Sequence, residues 1–126
     1  MTRILWLSNH VPLASEIEAL KVGYGNEVEI IQDHSLIFSA DQVIDRYRKK
    51  EFEDIVIVAP RSLVTLVEKL INSGIHPIWA EREAVPKSYA EVFLEHKGWR
   101  FVRLKRIEKI NIELVLERFQ PVELNA

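Results

Sequence analysis

The sequence of 126 residues contains no cysteine, which excludes disulfides, thiolate metal ligands and a cysteine nucleophile. Glycine-rich phosphate motifs are also missing. The first predicted strand runs into Ser8-Asn9-His10-Val11-Pro12 instead of Gly-x-Gly-x-x-Gly, and there is no Walker lysine motif. The four histidines share no metal-ligand spacing. We therefore expect no dinucleotide cofactor, no P-loop chemistry and no metal site.

The chain also lacks a strong charge of one sign and a long apolar run. Its formal net charge is -2, so any contact with nucleic acid must come from a local patch. The apolar run within Met1–His10 is too short for a signal peptide, and no stretch is long enough to span a bilayer. We expect a cytoplasmic protein with no membrane partner. Hydrophobic residues make up 48% and charged residues 29%, as in a soluble globular domain.

The element that organises the chain is a run of five apolar residues, Ile55–Ala59, of which four are β-branched. Such a run is typical of a strand buried on both faces of a parallel sheet, and Pro60 ends it. Further strands are predicted over residues 4–7, 28–31, 76–80, 99–104 and 110–117. Helices are predicted over residues 12–21, 39–50 and 63–71, and a helix or irregular turn over residues 87–97. Gly23 and Gly25 are expected to stop the first helix.

Alternation of strands and helices predicts a mostly parallel sheet with helices on both faces. The fold class is α/β: a small Rossmann-like three-layer domain over residues 1–119, with a C-terminal antiparallel hairpin at the sheet edge. Residues 105–109 either turn between the two hairpin strands or continue the first of them, and residues 120–126 form a loose tail. Charged residues on that hairpin would protect an edge from aggregation.

Polar side chains follow four of the predicted parallel strands, at the edge where open α/β sheets bind ligands. The predicted ligand-binding residues are Ser8, Asn9, His34, Arg61, Ser62, Glu81 and Arg82. Arg61 is the first choice, because its guanidinium and the start of the following helix suit a phosphate group. The alternative is a salt bridge from Arg61 to Glu81 or Glu83.

His10 is the predicted catalytic residue, because a histidine at a strand end is suited to general acid–base chemistry. It has an alternative role as a helix cap or solvent-exposed residue. His34 has the alternative of a plain loop residue. His76 is expected to be structural, and His96 to stabilise the end of a helix through its dipole.

A basic cluster near the C-terminus gives a second functional hypothesis. Its members are Arg100, Arg103, Lys105, Arg106 and Lys109, interleaved with aromatic residues. Strand alternation places Arg103 and Lys105 on one face with Trp99 and Phe101, and Arg100 and Arg106 on the other. Basic residues among aromatics can bind single-stranded nucleic acid. The simpler interpretation is an edge strand that charge keeps from pairing with other chains.

The order of these segments resembles a known family. A strand leading into Leu7-Ser8-Asn9-His10 with Pro12-Leu13, a central apolar strand and Ile75-His76-Pro77-Ile78-Trp79-Ala80-Glu81 resemble small CRISPR-associated Rossmann-fold proteins of the ring-nuclease-like type. The resemblance covers roughly residues 3–82. It implies a cyclic oligoadenylate bound at a dimer interface by Ser8, Asn9, His10, Arg61 and Ser62. The chain also resembles small prophage and host proteins, from which no activity follows.

Two functions are therefore predicted. The first is a nucleotide or cyclic-oligonucleotide binding domain, with or without ring-nuclease-like phosphodiesterase activity, in a CRISPR or phage-defence setting. A ligand with two-fold symmetry requires a two-fold dimer, so we expect a homodimer. The second is a non-catalytic module that binds a protein or nucleic acid through the basic hairpin.

Overall fold

The computed structural model describes residues 1–109 and shows a mixed α/β fold with a six-stranded sheet and three helices. The strands are β1 Arg3–Leu7, β2 Glu29–Gln32, β3 Asp54–Ile57, β4 Ile78–Val85, β5 Val92–Leu94 and β6 Lys97–Arg106. The helices are α1 Ala14–Tyr24, α2 Ala40–Arg48 and α3 Val64–Asn72. Short 3-10 helices cover His34–Phe38, Pro60–Leu63 and Lys87–Tyr89.

The sheet has the strand order β2-β1-β3-β4-β6-β5. Strands β1 to β4 are parallel, so their carboxyl ends lie at one edge of the sheet. Strand β6 runs antiparallel to β4, and β5 runs antiparallel to β6. The parallel part and the antiparallel addition confirm the α/β class predicted from the sequence.

Alternate residues of the parallel strands bury two apolar cores. Leu5, Leu7, Ile55 and Ile57 lie in one core, which also contains buried side chains of α2 and α3. Ile4, Trp6, Val56, Ile78 and Ala80 lie in the other, with Leu20 of α1. Side chains of successive strand residues point to opposite faces. The central strand therefore has apolar neighbours on both sides, as its run of β-branched residues predicts.

The prediction for the C-terminal third is wrong in two places. Residues 87–97, expected to form a helix or irregular turn, contain a 3-10 turn and strand β5, and β5 pairs with β6 as a hairpin. Residues 105 and 106 continue β6, so the predicted turn is wrong at these two positions and the alternative of a straight continuation is correct there. The expected strand over residues 110–117 and the tail over residues 120–126 lie outside the described residues.

Helix ends differ from the predictions for local reasons. Gly23 lies inside α1, and only Gly25, with φ of 99°, terminates the helix. Ser39 precedes α2 as predicted, but its side chain makes no capping hydrogen bond. Arg61 and Ser62 belong to the 3-10 turn before α3 and do not lie at the first turn of that helix. Among residues 1–109, no helix has the length and apolar character needed to cross a membrane.

Candidate functional site: a cleft between the sheet edge and a hairpin

A cleft of about 520 Å³ opens where β3 ends. Its lining comes from the loop after β1, the loop after β3, strand β4 and the β5–β6 hairpin. These residues are His10, Val58, Ala59, Pro60, Arg61, Trp79, Glu81, Arg82, Leu94, Glu95 and Trp99. The volume lies in the range of small-molecule sites, and the lining mixes aromatic, apolar and charged groups. Four predicted site residues, His10, Arg61, Glu81 and Arg82, are brought together here.

Arg61 presents an exposed guanidinium to this cleft. Neither predicted salt-bridge partner pairs with it, because Glu81 binds Arg103 and Lys105, and Glu83 binds Arg100. Within residues 1–109, Arg61 takes part in no ion pair. Among the residues that the structure describes, Arg61 is therefore the arginine of the cleft lining without an ion-pair partner. The backbone N–H of Ser62, in contrast, already donates to the carbonyl of Ala59 at 3.1 Å.

The loop that carries His10 is fixed through its backbone. The indole N–H of the fully buried Trp6 donates to the His10 carbonyl at 2.8 Å. The Gln32 side-chain amide donates to the carbonyls of Ser8 and His10 at 2.9 and 3.2 Å. The His10 N–H in turn donates to Ser8 Oγ at 3.0 Å. Ser8 is thus a buried loop-forming residue, while the half-buried His10 side chain lines the cleft.

Arg82 lies in the wall of the cleft as the partner of a buried carboxylate. Its Nε and one terminal nitrogen donate to the two oxygens of Glu16 at 2.8 and 2.7 Å. The Glu16 side chain is fully buried and that of Arg82 is 6% exposed. Glu16 also accepts from the Leu13 N–H at 2.8 Å, which caps the start of α1. A two-point pair with these additional bonds satisfies both charges and orients the wall.

Glu81 was expected in a loop, but it lies within β4, as does Arg82. Arg103 donates to the Glu81 carboxylate at 2.7 Å, and the Lys105 ammonium lies 3.4 Å from it. The hydrogen bond from Arg103 holds the pKa of Glu81 below its usual range. Lys105 also lies over the ring of Trp79, 5.5 Å from its centroid, a cation–π contact. Glu81 is therefore ionised at the cleft wall, and Arg103 and Lys105 neutralise its charge.

The β5–β6 hairpin closes one side of the cleft through Leu94, Glu95 and Trp99. Leu94 pairs with Lys97, so the turn consists of Glu95 and His96 alone. Both have positive φ, 50° and 66°, as the central residues of a type I′ turn do. Sequence reasoning missed this turn, because such turns are signalled by Asn-Gly or Asp-Gly. His96, expected at a helix end, is the second turn residue.

The basic residues of β6 are mostly paired with carboxylates. Arg100 pairs with Glu83, Arg103 and Lys105 with Glu81, and Arg106 with Asp54. Lys109 follows the end of β6 and belongs to no described helix or strand. The carboxylates in these ion pairs neutralise positive charge that nucleic-acid binding would require.

The predicted division of β6 into two faces is partly wrong. Glu81 opposes Arg103 but Arg82 opposes Phe101, so Val102 is an extra residue that shifts the register. Glu81 and Glu83 are two residues apart on β4, so Arg103 and Arg100 pair with carboxylates on the same face. Phe101 packs into the core beside α1, whereas Arg103 does not. A β-bulge leaves no signal in the sequence pattern here.

Four predicted ligand-binding residues lie away from the cleft lining, and the buried Ser8 is one of them. Asn9 is exposed beside His10, and Ser62 is exposed on the 3-10 turn. His34 is the exposed first residue of the 3-10 helix that follows β2. The cleft lining also contains Trp79, Trp99 and Glu95, which were not predicted because they do not follow the end of a parallel strand. The residues described contain no cluster of His, Asp or Glu suited to a metal ion.

Comparison with known proteins gives no match: no family model, curated protein or solved structure is similar enough to this chain to assign it to a family.

Proposed function

We propose that the cleft binds a nucleotide or cyclic oligonucleotide, with Arg61 holding a phosphate and the tryptophans contacting a base. The observation that carries this proposal is the guanidinium of Arg61, which has no ion-pair partner in the described part of the chain and lies in a cleft that also contains Trp79 and Trp99. Arginine forms paired hydrogen bonds to phosphate oxygens. Aromatic rings stack on any base, because every base has a π-face.

The position in the sheet supports the same assignment. Of the cleft residues, His10 follows β1 and Val58–Arg61 follow β3 at the carboxyl edge, where ligands of open α/β sheets lie. We propose that the fold is a small variant of the three-layer Rossmann-like arrangement, with α1 on one face and α2 and α3 on the other. A nucleotide ligand fits a cytoplasmic protein, and a cyclic oligonucleotide fits a CRISPR or phage-defence setting.

His10 is the one residue that we propose as catalytic. Its ring lines the cleft, and four hydrogen bonds to its loop fix the backbone that carries it. An imidazole in that position is suited to protonate the leaving oxygen of a phosphodiester. His10→Ala should then abolish turnover of a cyclic oligonucleotide while leaving its binding within about tenfold.

A homodimer forms part of the proposal, because a cyclic ligand with two-fold symmetry requires two facing clefts. Val11, next to His10, is 71% exposed, and Phe38, beyond β2, is 88% exposed. Val11 lies in the loop after β1, and Phe38 is the last residue of the 3-10 helix after β2, so both follow strands at the edge that carries the cleft. Light scattering with and without cyclic tetra-adenylate tests this, and the monomer mass of 14.7 kDa in both cases would contradict it.

The decisive experiment is a titration monitored by tryptophan fluorescence. Trp6 is fully buried, so a ligand in the cleft acts on Trp79 and Trp99, the other two tryptophans of the chain. The probes are the four ribonucleoside 5′-monophosphates and cyclic tetra-adenylate. Arg61→Ala should weaken binding by about 1.5–3 kcal/mol, the magnitude of a charge-assisted hydrogen bond.

Arg48→Ala provides the matched control, because Arg48 is exposed on α2 and does not line the cleft. It removes the same charge and should leave affinity unchanged. Equal losses for both variants would indicate general electrostatic attraction instead of a site. No fluorescence change with any probe would refute nucleotide binding.

The basic cluster supports nucleic-acid binding less well than the cleft supports nucleotide binding. Four of the five lie beside carboxylates, which reduces the charge they offer to nucleic acid.

A further inference from the structure

The turn between β5 and β6 consists of residues that seldom adopt the backbone conformation of such a turn. Two-residue turns of this kind are normally built from Asn-Gly or Gly-Gly, since both central residues need positive φ. Here Glu95 and His96 adopt φ of 50° and 66°. Glutamate rarely adopts this conformation, because its Cβ approaches a backbone oxygen. Backbone strain that persists at a cleft is frequently associated with function.

Glu95 differs from the other acidic residue of the cleft. The Glu81 carboxylate is neutralised by Arg103 and Lys105. Glu95 is exposed, lines the cleft, and forms no ion pair within residues 1–109. Arg82 is neutralised by Glu16 in the same way. Counting partners from the described residues alone, the charged groups of this lining without an ion pair are therefore one cation, Arg61, and one anion, Glu95.

We propose that Glu95 is a ligand-binding residue that accepts hydrogen bonds from the ribose hydroxyls of the bound nucleotide. This inference rests on the proposed function and specifies its ligand as a ribonucleotide. A carboxylate repels the phosphate that Arg61 holds, so it must accept from a donor elsewhere on the ligand. The two oxygens of a carboxylate match the adjacent 2′ and 3′ hydroxyls, while the aromatic rings contact the base.

The first test separates the side chain of Glu95 from the shape of the turn. Glu95→Gln keeps the size of the side chain and removes its charge, and it should weaken adenosine 5′-monophosphate binding about tenfold or more. His96→Gly provides the control, because it relieves strain at the neighbouring turn position and retains Glu95. It should raise the Tm by about 3–6 °C and leave affinity within about twofold.

The second test identifies the group on the ligand. Wild-type protein should bind 2′-deoxyadenosine 5′-monophosphate about tenfold more weakly than the ribonucleotide. With Glu95→Gln this preference should fall towards one, because the interaction that distinguishes the two ligands is lost. Inosine 5′-monophosphate lacks the amino group of adenine. The ribose assignment is overturned if the inosine nucleotide binds wild-type protein more weakly than adenosine 5′-monophosphate does, this difference disappears in Glu95→Gln, and the deoxynucleotide shows no such difference.

The outcomes also distinguish the inference from the function on which it rests. If adenosine 5′-monophosphate binds and Arg61→Ala weakens it while Glu95→Gln does not, the role of Glu95 is refuted and the nucleotide site stands. If wild-type protein binds neither the ribonucleotide nor its analogues, both proposals fail together.

Discussion

Arg82 on β4 and Glu16 on α1 are 66 positions apart in the chain and form a two-point ion pair that is almost fully buried. The same carboxylate caps the start of α1 through the Leu13 N–H. This pair therefore joins the helix on one face of the sheet to the wall of the cleft. It also removes Arg82 from the charges that are free to meet a ligand.

Arg82→Ala should lower the free energy of unfolding by about 3–5 kcal/mol, because it leaves the Glu16 charge buried without its partner. The control is Arg3→Ala, which breaks an exposed pair with Glu29 and should cost at most about 1 kcal/mol. Urea denaturation of both variants measures the difference. Similar small losses in the two would show that the buried pair is not required for stability.

Ile57 and Arg61 lie four residues apart, but truncation to alanine should change the free energy of unfolding by very different amounts at the two positions. Ile57 is fully buried at the end of β3, so Ile57→Ala should cost about 2–5 kcal/mol of stability. Arg61 is exposed and unpaired among residues 1–109, so Arg61→Ala should change stability by less than about 1 kcal/mol. Chemical denaturation tests both, and a strongly destabilised Arg61→Ala protein would refute the binding role of this loop.

Gly98→Ala should destabilise the hairpin that closes the cleft. A Cβ at Gly98 would lie 2.7 Å from both the Ala90 Cβ and the Val85 carbonyl oxygen. Overpacking of this kind costs about 1–3 kcal/mol. Gly23→Ala is the matched control, since nothing lies within 4 Å of its Cβ and α1 gains about 0.5–1 kcal/mol from alanine. Thermal melts should therefore shift in opposite directions, and a stabilised Gly98→Ala would contradict the close approach.

The ion pair between Glu81 and Arg103 should make stability depend on pH. The pKa of Glu81 is lower in the folded chain, chiefly because Arg103 donates a hydrogen bond to it. The pair therefore stabilises the fold above the unfolded pKa, and this contribution is lost as the pH falls through the folded pKa.

Wild type should consequently exceed Glu81→Gln in Tm at pH 7, and the difference should shrink below about pH 4. In an Arg103→Ala background the difference at pH 7 should be smaller than in the wild-type background. A gap between wild type and Glu81→Gln that stayed constant from pH 7 to pH 3 would contradict this coupling.

The sequence by itself determined the parallel part of the sheet. The run Ile55–Val58 requires apolar neighbours on both sides. The predicted strand is present as β3, which lies between β1 and β4 in the sheet. It also determined that His10 and Arg61 follow strands at one edge, since parallel strands share their carboxyl ends. Both conclusions depend on patterns within a few residues, where side-chain shape and periodicity act directly on the backbone.

Only the tertiary structure decided which charges remain free at that edge. Arg82 is neutralised by Glu16, and Glu81 by Arg103, through contacts set by helix packing and strand register. Register depends on the bulge at Val102 and on the turn at Glu95 and His96, neither of which has a local signature in the sequence. Pairing between distant segments is a property of the whole packed chain. Only the folded structure therefore shows that Arg61 and Glu95, unlike Arg82 and Glu81, have no ion-pair partner among residues 1–109.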